Sequence, residues 1–165
     1  MHPNDYLAEL KTLGKEPVLT PGSSEEAAAI ERFKDYFSNV TEDSIRTKTG
    51  QVYSADAFFN DTLKTLRGAD KIEHYLLETS KNVSEFRVEM MPPARSGPDY
   101  YFRWIMTVGM KRFGNKSVTT IGMTHVRFDP EGKVRLHQDY WDSAAGLWDH
   151  VPVIGSGIRW IKSRL

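Results

Sequence analysis

Gly132-Lys-Val-Arg-Leu-His-Gln-Asp-Tyr-Trp-Asp142, entered from Phe128-Asp-Pro-Glu131, is the stretch on which the reading of this chain turns. Asp129-Pro130-Glu131-Gly132 has the chemistry of a type I turn. The residues after it read as a strand. Successive strand side chains point to opposite faces, so His137, Asp139 and Trp141 share one face and Gln138, Tyr140 and Asp142 the other. An imidazole, a carboxylate and an indole side by side suit a pocket wall better than bare solvent or a plain core.

The period of two extends upstream. Gly122, Thr124, Val126 and Phe128 oppose Met123, His125 and Arg127. Before them Phe102, Trp104, Met106, Val108 and Met110 alternate with Arg103, Ile105, Thr107 and Lys111, and Gly114-Asn115 makes the turn between the two strands. Phe86, Val88 and Met90 form an earlier strand, ended by Pro92-Pro93 because proline cannot continue a ladder. Residues 95–99 read as a loop. Earlier still the period lengthens to three and four. Ser23 with Glu26 reads as a capping box for a helix over 24–40 that carries Ile30, Phe33, Phe37 and Val40. Gly68-Ala-Asp70 precedes a second helix with Ile72, Tyr75, Leu76 and Thr79 on one face. Between the helices, Val52 to Asp61 is rich in aromatics and carboxylates and reads as a short helix or strand at the lip of the core, with Asp56 as a helix cap. Helices followed by consecutive antiparallel strands make an α+β domain with the helices on one face of the sheet.

That domain spans 23–142. Residues 1–22 end in Thr20-Pro-Gly22 and read as an irregular arm or short helix. Residues 143–165 carry Ile154, Ile158, Ile161 and Leu165 at helical spacing with Arg159, Lys162 and Arg164 between them. This amphipathic helix is expected to dock on the domain or on a partner subunit. Such a helix can also lie on a membrane surface, but a single one on a chain of zero net charge favours docking.

A chain of 165 residues suffices for one core, and 22 basic against 22 acidic residues give no global charge that would favour nucleic acid. The absence of cysteine excludes disulfides and thiol catalysis and is consistent with a reducing compartment. With no signal-like N-terminus and no apolar run of membrane-spanning length, the chain is expected in the cytoplasm. The histidines are too dispersed for a metal site, and no phosphate-cradling glycine loop or nucleophile elbow occurs, so no metal or cofactor is expected.

The order of elements and four strings resemble the nuclear transport factor 2-like superfamily, in particular its SnoaL-like branch of ketosteroid isomerases, polyketide cyclases and dehydratases. The strings are Tyr53-Ser-Ala-Asp-Ala-Phe-Phe-Asn-Asp61, Gly68 before a helix, His125-Val-Arg-Phe-Asp-Pro-Glu-Gly-Lys-Val134 and Asp139-Tyr-Trp-Asp142. The resemblance implies a curved antiparallel sheet folded with the N-terminal helices on its concave face into a cone, a pocket along the cone axis, and a homodimer through the outer sheet face. It also puts Asp61 where ketosteroid isomerases carry their aspartate general base. At the position of the acid that helps hold the isomerase oxyanion stands Thr124. The family tyrosine that completes that hole falls nearest Phe33, with Tyr36 one turn on. Losing both donors argues against ketosteroid isomerisation, because oxyanion stabilisation is often the largest catalytic term.

Asp61, His137 and Asp139 are therefore the candidate acid/base residues. A carboxylate in an apolar cavity has a raised pKa, and a carboxylate beside an imidazole orients it. The alternatives stay open: Asp61 as a solvated loop carboxylate, and His137/Asp139 as a pair bonded to backbone and water. Phe59, Trp104, Met106, Val108 and Trp141 would form the wall, with Tyr36, Tyr53 or Thr124 donating hydrogen bonds. Such a wall suits a small, mostly apolar or aromatic molecule. Three functions fit: a small-molecule binder, a cofactor-free isomerase, dehydratase or cyclase, or an interaction module whose cone is filled by side chains.

Overall fold

The computed structural model describes residues 3–14, 19–111 and 117–143, together with Trp160 and Arg164. Its order is α1 (Pro3–Leu13), α2 (Ser24–Ser38), α3 (Glu42–Val52), β1 (Tyr53–Asn60), β2 (Thr65–Arg67), α4 (Ala69–Asn82), β3 (Val83–Met90), β4 (Ala94–Ser96), β5 (Asp99–Met110), β6 (Ser117–Phe128) and β7 (Val134–Trp141). The strands form one curved, unclosed sheet in the order β2-β1-β7-β6-β5-β3, with β4 paired to β5. This is the expected α+β cone, with one correction. The sheet is mixed, not antiparallel throughout, because β1 runs parallel to β7. A parallel pair needs a long crossover, and everything from β2 to β6 supplies it.

The local chemistry explains most boundaries. Ser23 caps α2 by accepting from the Glu26 amide at 3.1 Å, but Glu26 does not complete the box. Its carboxylate accepts instead from the Gly22 amide and the Tyr100 hydroxyl, both at 2.6 Å. The reciprocal box occurs at α3, between Thr41 and Ser44. That helix buries Ile45, Thr49 and Val52 on one face, and its serine and threonine content hides the pattern from a hydrophobic reading. Asp56 caps no helix: it lies exposed on β1 and pairs with Arg135 of β7. Arg95 and Ser96, expected in a loop, join Ala94 in β4 through a tight reversal at Gly97.

The main core lies between the concave sheet face and α2, α3 and α4, around Phe33, Tyr53, Phe59, Ile72, Phe102 and Val126. A second, smaller cluster lies on the other face. There Leu13, Phe58 and Leu136 are buried with Tyr6 and Leu10 against them, so the expected N-terminal arm is a helix laid over the convex side. Glu9 of α1 is buried in an ion pair with Arg67 of β2, and the Tyr6 hydroxyl meets His125 Nδ1 at 2.9 Å. The turn at Gly114-Asn115 and the amphipathic helix expected over 143–165 lie outside the described residues. Among the described residues no helix is long and apolar enough to cross a membrane.

One bulge decides what β7 presents. Phe128 pairs with Val134 and Arg127 with Leu136, leaving Arg135 as an extra residue. Val134 and His137 therefore both face the concave side although their spacing is odd, while Leu136 turns to the cluster under α1.

Candidate active site in the cone

The parallel β1–β7 pairing builds the site. Phe59 stands beside His137 and Asn60 beside Gln138. Two residues along each strand from the first pair, the same face carries Asp61 and Asp139. Both carboxylates border a cavity of about 200 Å³ inside the cone, smaller than the roughly 300–1,000 Å³ of pockets for drug-sized ligands. His137 borders it too, as do Phe59, Trp104, Met106, Val108, Thr124 and Trp141.

Two expected residues stand elsewhere. The Tyr36 hydroxyl bonds Thr49 Oγ1 at 2.7 Å, and Thr49 donates onward to the Ile45 carbonyl, so Tyr36 is the donor in its own bond and is committed to α3. Tyr53 sits behind His137, not on the cavity, with its hydroxyl 2.9 Å from Nδ1.

The polar groups form one directed chain. Trp104 Nε1–H donates to Thr124 Oγ1 at 2.9 Å, which leaves the Thr124 hydroxyl hydrogen for Asp139 Oδ1 at 2.5 Å. His137 Nε2 meets the same carboxylate oxygen at 3.0 Å. Burial pushes the Tyr53 phenol well above its ordinary value, so it stays protonated. For a neutral imidazole the network is satisfied by Tyr53 donating to Nδ1 and Nε2–H donating to Asp139. The imidazole is only 2% exposed and lies among the rings of Phe33, Phe37 and Phe59, the last 4.7 Å away. The order of the pair is thus the reverse of a histidine oriented by a buried aspartate. Here the histidine is buried and the aspartate is the more exposed partner.

Asp61 is held differently. Its Oδ1 accepts from the backbone amides of Leu63 and Lys64 at 2.9 and 2.7 Å, and its Oδ2 accepts from the Tyr75 hydroxyl at 2.5 Å. Burial nevertheless pushes its pKa above the ordinary carboxylate value. The three hydrogen bonds oppose the shift, and the charge of Asp139 adds to it. The next residue, Thr62, takes φ 74°, a left-handed conformation that is strained for a β-branched side chain. Trp141 Nε1–H donates to the Asp61 carbonyl at 2.9 Å and ties this loop to β7.

Tyr75 was legible in the sequence only as one position on the α4 face and was not singled out for the site. Gly122 was likewise missed. A Cβ there would stand 2.3 Å from the Trp104 ring, so this glycine is the floor on which the indole lies. Among the described residues, no group of three or more His, Asp or Glu side chains is placed to hold a metal ion.

A mixed sheet wrapped around an aromatic, acid-bearing cavity is the ketosteroid isomerase-like fold. Solved structures with this fold are nuclear transport factor 2-like, SnoaL-like and ketosteroid isomerase-like proteins. One is a nuclear transport factor 2-like protein of unknown function from Exiguobacterium sp. 255-15, 15% identical, with a TM-score of 0.59 over 69% of this chain and 98% of that one. Another is a Catenulispora acidiphila protein with a ketosteroid isomerase-like fold in complex with trimethylamine, 17% identical, with a TM-score of 0.61 over 78% and 91%. A third is an LEH-like epoxide hydrolase from M. tuberculosis, 17% identical, with a TM-score of 0.61 over 88% and 100%. The sequence matches no protein-family model and no curated protein.

Proposed function

We propose that this protein binds a small, mostly apolar molecule in its cone and moves a proton on it without a cofactor. The observation that carries the reading is the pair of carboxylates, Asp61 and Asp139, brought by the parallel strands to one otherwise apolar cavity. Asp139 is the proton acceptor. Thr124 and His137 hold its Oδ1, and its Oδ2 has no hydrogen-bond partner among the described residues. His137 and Tyr53 are positioning residues that fix the carboxylate from behind. Asp61, kept protonated to higher pH by burial, is the group suited to return a proton. Isomerisation, dehydration and cyclisation all need this pairing of base and acid. The trimethylamine in complex with the Catenulispora protein and the naming of the mycobacterial one as an epoxide hydrolase support, for this fold, a small-molecule ligand.

The test uses cyclohex-3-en-1-one, a small carbon acid, in deuterated water, with NMR following exchange at the carbon between the carbonyl and the alkene. The wild type is expected to speed exchange, Asp139→Asn to lose that acceleration, and Met106→Trp to lose binding by filling the cavity. Saturable quenching of Trp104 and Trp141 emission without any exchange would sink the catalytic part and leave a binder.

We further infer a cytoplasmic homodimer. The cysteine-free sequence supports a reducing compartment, and Ile121, 72% exposed on the convex face beyond α1, supports pairing of two copies there.

A further inference from the structure

The charge and donor inventory of the cavity points to one ligand class. Its described lining residues include two carboxylates and no lysine or arginine. Its side-chain N–H and O–H donors are already spent on protein acceptors. Trp104 donates to Thr124, Thr124 to Asp139, Trp141 to the Asp61 carbonyl and Tyr75 to Asp61. Thr79 is engaged with the Tyr75 oxygen and His137 with Tyr53 and Asp139. The wall thus offers a ligand acceptors and negative charge, together with the faces of aromatic rings. A developing oxyanion would meet no uncommitted donor other than a protonated Asp61, whereas a cation would meet two carboxylates and a set of π faces.

We propose that the cone takes a small organic cation, an amine or quaternary ammonium with apolar substituents, its charge beside Asp61 and Asp139 and its hydrocarbon against Trp104, Trp141 and Phe59. This rests on the reading of the cone as a small-molecule site, though not on its being catalytic. Burial alone leaves two like charges in an apolar cavity at a cost, which is why Asp61 holds its proton to higher pH than an ordinary aspartate. A bound cation removes that cost. It therefore binds with release of the Asp61 proton and more tightly as pH rises through the Asp61 titration. The ionisable and charged groups facing Asp61 are Tyr75 from α4 and His137 and Asp139 from β7.

Two probes of one shape decide the matter: benzyltrimethylammonium and its neutral isostere neopentylbenzene, titrated against the intact protein with tryptophan emission as readout. The cation is expected to bind about tenfold or more tightly than the isostere. Asp139→Asn and Asp61→Asn, checked for folding by circular dichroism, should each bring the ratio toward one. Equal or tighter binding of neopentylbenzene to the wild type overturns the cation proposal while leaving the apolar site standing. Binding of neither probe overturns both. The wild-type ratio stands without the variants, so a variant that fails to fold does not weaken the test.

Discussion

At the scale of single residues, the site depends on groups whose value lies in what they leave room for or hold in place. Gly122→Ala would put a methyl group into the Trp104 ring. The indole must then leave Thr124, so the variant should lose about 1–3 kcal/mol of stability, read by urea unfolding, and shift its tryptophan emission. Tyr75→Phe removes one of the bonds that favour ionised Asp61, so the Asp61 pKa should rise further, a change visible in the carboxyl carbon signal on NMR titration. The sign of the stability effect follows. A carboxyl raised above its ordinary value of 3.8 contributes stability that is fully present below that value and is lost as pH rises through the folded-state value. In Tyr75→Phe this loss should extend to higher pH. His137, Asp139 and Trp141 were legible as one strand face because alternation survives from Leu136 onward. The partnership of Asp61 with Asp139 was not, since it depends on β1 running parallel to β7 across a crossover of several elements.

Among elements, α1 changes the picture most. Tyr6, Leu10 and Leu13 already stand at helical spacing, but a short polar segment ending in Pro-Gly reads as either an arm or a short helix, because its partner surface, Phe58 and Leu136, is visible only once the sheet exists. Beneath it lies His125, stacked on Tyr101, hydrogen-bonded to Tyr6 and 2.6 Å from Asp99, which Arg127 also grips. Asp99 favours a charged imidazole, but burial is the larger influence and Arg127 adds to it, so the His125 pKa falls below its ordinary 6.5. The His125–Asp99 contact is therefore a hydrogen bond of a neutral ring. A histidine with a lowered pKa contributes stability present above 6.5 and lost as pH falls through the folded-state value. Melting temperature should accordingly drop on acidification below neutrality, and less in His125→Gln. Leu13→Ala, which unpins the same helix, should cost about 2–3 kcal/mol at any pH.

At the scale of the molecule, periods of two and of three to four residues, written directly in side-chain order, were enough to read an α+β domain with helices on one face of a sheet, while the cone followed from the resemblance carried by four strings. Mixed pairing and β2 depend on contacts far apart in sequence and had no local signature, and the helix on the convex face showed its spacing but not the surface it covers. For the proposed dimer, that helix leaves the β5–β6 part of the convex face, where Ile121 is exposed, as the surface for a second copy. Sedimentation should find a dimer for the wild type and a monomer for Ile121→Glu, and a wild-type monomer at tens of micromolar would end the idea.

The extra residue at Arg135 gives β7 something like a reading frame. Everything after it, from Leu136 to Trp141, is addressed to one side or the other by a single inserted position. Were Arg135 to take an ordinary place in the alternation instead of bulging out of it, the same letters would send the imidazole and its carboxylate out to the surface beneath α1 and turn Leu136 and Gln138 inward. A cone with a reactive wall and a cone with an inert one would then differ by one step of register, in a place that touches no ligand.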